Sequence, residues 1–149
     1  MTSGQTGLAT IPEPTLSGVM MQNADLHVVA DLTAEWQKIH PEVLLSQGSQ
    51  VIRKDFIEQN PEAAAAFLAE YQASAEAVNV DVADTAVLTG KFDIVPEKVA
   101  AMAIPAANQV FIDGEEMKRG SQPFFQILFE ANPESVGGAL PGDDFYLDR

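Results

Sequence analysis

Two imidazoles, His27 and His40, are the whole supply of the side chain best suited to proton transfer and metal ligation near neutral pH. They stand thirteen residues apart, a spacing that fits no familiar metal-ligand motif, and they fall on different expected elements. A half-buried strand histidine and an exposed turn histidine describe them more simply. The acid pairs Glu115-Glu116 and Asp143-Asp144 are adjacent in sequence, so their carboxylates diverge. They read as solvated charge at helix starts rather than as an acid/base couple. There is no cysteine, which excludes thiol catalysis, disulfides, iron–sulfur clusters and Cys-based zinc sites. Gly-x-Ser-x-Gly, a phosphate-binding glycine loop and a dinucleotide fingerprint are all missing. No catalytic, metal or cofactor site is expected.

Two polar stretches suit binding better. Pro12-Glu13-Pro14 follows the apolar run Leu8-Ala9-Thr10-Ile11. If that run is a strand, Glu13 stands at its carboxyl end, where open α/β sheets hold ligands. Charge complementing a helix start accounts for Glu13 as well. Gln47-Gly48-Ser49-Gln50 suits a hinge or binding loop, and a surface turn equally.

These stretches depend on the elements around them. Pro-Glu occurs five times, at Pro12, Pro41, Pro61, Pro96 and Pro133, at irregular spacing. Each reads as a helix start, since proline at the first helical position forfeits only an N–H that lacks a partner anyway. After Asn60 as a cap, apolar residues at helical spacing predict a helix over 61–78. A second helix is predicted over 82–89, and a third opens at Pro96. Asp113 and Glu116 have capping-box spacing ahead of a further helix, which Pro123 should kink or divide near 120–122. Residues 8–11, 26–30, 50–53 and 110–112 are apolar and largely β-branched, and read as strands. Short helices are expected through Met20-Met21 and around Trp36, the latter capped by Thr33. The chain therefore reads as α/β: a short α/β segment followed by a mainly helical part.

Composition bounds the partners. Eight basic and 22 acidic residues give a net charge of −14, which disfavours nucleic acid and anionic membrane surfaces. The first residues lack the basic segment and apolar stretch of a signal peptide, so no export address is expected within this chain. With alanine at 21 positions, the eleven aromatic side chains must supply much of the packing area.

The order of motifs carries a resemblance. Val-Val-Ala-Asp-Leu with Thr-Ala-Glu-Trp-Gln-Lys is followed by Val-Ile-Arg-Lys-Asp-Phe and Asn-Pro-Glu-Ala-Ala-Ala-Ala-Phe-Leu-Ala-Glu-Tyr. Ala-Ile-Pro, Val-Phe-Ile-Asp-Gly-Glu-Glu-Met-Lys and Asn-Pro-Glu-Ser-Val-Gly-Gly-Ala-Leu-Pro-Gly-Asp-Asp-Phe-Tyr complete the order. From Leu8 to Tyr146 this resembles the C-terminal half of solute-binding proteins of ABC transporters, in the nitrate/sulfonate/taurine and thiamine-precursor-like group. The resemblance implies half of a two-lobed periplasmic-binding-protein (type II) fold, in which lobes close on a solute. Residues 1–46 would end the second lobe, and residues 47–149 would form the C-terminal part of the first. Thr10, Glu13 and Gln47 would be ligand contacts. It further implies a small-molecule solute, an ABC permease as partner, an extracytoplasmic or lipoprotein-like setting, and no enzymatic activity. A self-associating homodimer that binds no solute, and an enzyme like the thiamine-pyrimidine synthases, are the alternatives.

Overall fold

The computed structural model describes residues 6–147, in which helices account for 61% of residues and none lies in a strand. This corrects the α/β expectation. Residues 8–11, 26–30, 50–53 and 110–112 do not form a sheet among the described residues. The reason is physical: β-branched residues favour a pleated surface, but a strand exists only when a neighbour takes up its N–H and C=O groups. Val29, Val51 and Val110 are instead 79%, 81% and 62% exposed.

The helices are α1 (Thr15–Gln22), α2 (Leu32–Ile39), α3 (Lys54–Gln59), α4 (Pro61–Val80), α5 (Val82–Lys91), α6 (Glu97–Ala103) and α7 (Gly114–Ala131). Short 3-10 turns follow at Ile104–Ala106, Pro133–Val136 and Asp143–Phe145. They belong to two compact units, each made from two stretches of chain. The first comprises Met1–His27 and Arg53–Phe111, the second Val28–Ile52 and Ile112–Arg149. The chain thus passes between units three times. Asp31, Arg53 and Asp113, just beyond these passages, all have extended backbone and each precedes a helix.

In the first unit, small residues let helices approach closely. Ala86 of α5 and Ala100 of α6 are buried with Ile104, and Val78, Val82 and Val95 pack around them. Gly90 ends close to the start of α6, where a Cβ would lie 3.2 Å from Glu97 backbone N. Ser17 of α1 is buried, and a Cβ on Gly18 would rest 3.8 Å from Val99 Cγ1 of α6. Asn79 Nδ2 donates to the Gln109 carbonyl at 2.8 Å and holds the end of α4 to the following chain. Tyr71 stacks on Phe67 at 5.9 Å and meets Phe111 at 5.9 Å.

The second unit is built on α7 and aromatic rings. Trp36 of α2 meets Phe124 edge-on at 5.7 Å and His40 at 4.7 Å, while its indole N–H donates to the Val43 carbonyl at 3.0 Å. Of the expected kink or division, division does not occur: α7 runs unbroken through Pro123. Proline at that position cannot donate to the Arg119 carbonyl and crowds the turn before it. An outside donor serves that turn, for Leu44 N–H donates to the Gly120 carbonyl at 3.2 Å. Gly120 itself is buried, and a Cβ there would overlap the Leu44 side chain.

The Pro-Glu reading of helix starts succeeds at Pro61 and Pro96 and gives a 3-10 turn at Pro133; Pro41-Glu42 forms only a turn. Three caps differ from expectation. Asp31, not Thr33, caps α2, accepting from Thr33 and Ala34 N–H groups at 2.9 and 3.1 Å. Asn60 does not cap α4, because its amide donates back to the Phe56 carbonyl. Asp113 precedes α7 without a side-chain cap bond.

Candidate functional site

The three expected ligand contacts fall in both units: Thr10 and Glu13 in the first, Gln47 in the second. Thr10 and Gln47 are exposed. Glu13 is partly buried, and its Oε2 accepts the Ser17 N–H at 3.1 Å, closing the first turn of α1. A carboxylate in that place satisfies one of the orphan N–H groups of the helix start and complements its dipole. Helix-start chemistry therefore accounts for one of its two oxygens. Near Gln47, the Ser46 hydroxyl donates to the Gly48 carbonyl at 3.2 Å, which shapes a local turn.

Among the described residues no group of three His, Asp or Glu side chains could hold a metal ion. His40 lies against Trp36 in the second unit with the rings tilted by 44°, whereas His27 is exposed and belongs to the first.

A half-open concavity lies within the second unit, where Gln122, Pro123, Phe125 and Gln126 of α7 line about 350 Å³ together with Leu140, Pro141 and Tyr146. Its aromatic edge continues through Phe125–Phe145 and Phe145–Tyr146 contacts at 6.1 and 5.3 Å. Beside it, Lys118 Nζ pairs with Asp143 at 3.0 Å and stands 5.9 Å from the Tyr146 ring centroid. The Tyr146 hydroxyl is buried and has no hydrogen-bond partner among the described residues. Sequence reading treated the aromatic side chains as packing area and missed this groove. Its far wall comes from the Gly- and Pro-rich tail, whose path has no periodic signal.

Among the described residues no helix is long and apolar enough to cross a membrane. No family model, curated protein or solved structure matches the chain.

Proposed function

We propose that the chain is the C-terminal portion of a solute-binding component of an ABC import system, which captures a small solute outside the cytoplasm and passes it to a permease. It performs no turnover. One observation carries this reading: two compact units, each built from two chain stretches, joined by three passages of chain. A protein that closes around a solute needs two bodies tied by several connections, so that hinge bending does not separate them. The ordered motifs from Leu8 to Tyr146 support the same reading. The α/β frame no longer contributes to it, since no sheet forms among the described residues. Thr10, Gln47 and the second oxygen of Glu13 are the proposed contacts.

Thermal melts of the purified chain with nitrate, taurine, other sulfonates and thiamine pyrimidine precursors test it. A ligand at 100 times its Kd adds roughly 2.7 kcal/mol and raises the melting temperature visibly. Absence of a shift with every solute overturns solute capture by this chain. A second reading, a self-associating helical module without a solute, is favoured by the exposure of Leu8, Ile39, Val80, Phe92 and Ile94, each above 65%. Association without any solute shift supports it.

A further inference from the structure

We infer that residues 48–52 of the second unit form an intermolecular strand, pairing antiparallel with the same residues of a second copy. This does not rest on the solute-capture reading. From Leu45 to Ile52 no backbone N–H donates a hydrogen bond among the described residues, although Leu44 before them does. These residues are neither helix nor strand, and 48–52 are all solvent-exposed, Val51 at 81%. Apart from the Gly48 carbonyl, which accepts the Ser46 hydroxyl, this is exposed, unpaired backbone carrying adjacent β-branched side chains, a template for strand addition.

Charge and symmetry select a second copy as the occupant. The chain carries a net charge of −14, so copies repel over most of their surface. Val43 to Ile52 contains no charged side chain, so contact there brings no carboxylates together. A twofold axis through Gln50 places Val51 opposite Ser49 and Ile52 opposite Gly48. Arg53 then faces Gln47, and like charges do not meet. Identical segments always have this isologous arrangement available, without a separately evolved complement.

Light scattering of the full chain across protein and salt concentration tests the proposal. The expected mass approaches twice 16.0 kDa, and the dimer fraction rises as salt screens the carboxylates. Along a strand, neighbouring N–H groups point to opposite sides, so either Gln50→Pro or Val51→Pro removes a partner-facing donor. At least one should yield a monomer of unchanged helical signal, while Val51→Thr stays dimeric. Hydrogen exchange at the Gln50, Val51 and Ile52 amides gives a reading independent of variants. Between dilute and concentrated protein it should slow either at Gln50 and Ile52 or at Val51, whichever faces the partner. A monomer at every concentration, a dimer surviving both proline variants, or exchange indifferent to concentration overturns the pairing. If the chain remains monomeric, any strand on this segment must come from a different protein.

Discussion

Tyr146 is the only buried aromatic side chain among the described residues, and its hydroxyl has no hydrogen-bond partner. Enclosing a phenol O–H without an acceptor costs about 1–3 kcal/mol, whereas the ring's burial is favourable. Tyr146→Phe keeps the ring against Phe145 and removes the orphaned group. The variant should therefore gain about 1 kcal/mol, read as a higher midpoint in urea. If an acceptor bonds the hydroxyl in solution, the same change lowers the midpoint. Glu13 teaches a related lesson. Its place beside two prolines was legible in the sequence, and so was the choice between ligand contact and helix start. The Ser17 N–H bond at 3.1 Å assigns one carboxylate oxygen to the helix. Sequence cannot make that assignment, because it depends on the backbone direction after Pro14.

At the scale of elements, helices were legible where local signals suffice. Pro61, with Glu62 after it and apolar residues at helical spacing, marks α4 in any context. Strands were not legible in the same way. The residues around Val29, Val51 and Val110 have strand composition, yet pairing is a property of two segments and no neighbour is available among the described residues. That α7 is not divided at Pro123 was illegible for a comparable reason: Leu44, far away in sequence, donates to the Gly120 carbonyl in the turn before the proline. Replacing this proline restores a backbone donor inside a helix that already has its geometry. Pro123→Ala should stabilise the second unit by about 1–3 kcal/mol, measured by chemical denaturation. A loss of stability would mean that the turn set by Pro123, with its Leu44 bond, is what the unit needs.

For the molecule as a whole, the thin core is the governing feature. Ala64, Ala86, Ala100 and Ala103 make up most of the buried apolar residues, while Phe56, Phe67, Phe92 and Phe145 are at least 40% exposed. Denaturant sensitivity follows the surface newly exposed on unfolding. Under monomeric conditions, the urea m-value should fall clearly below that of a compact domain of equal length. A normal value would show that the apolar faces are covered in solution. The amino-acid sequence by itself determined the net charge of −14, the absence of cysteine chemistry and the positions of the stronger helices. Composition and contacts within a few residues of one another settle those properties. Tertiary structure alone decided that no sheet forms among the described residues, that two units share interleaved stretches of chain, and that Pro123 lies within a continuous helix. Each depends on whether a backbone group finds a partner distant in sequence, and no local pattern of residues encodes that meeting.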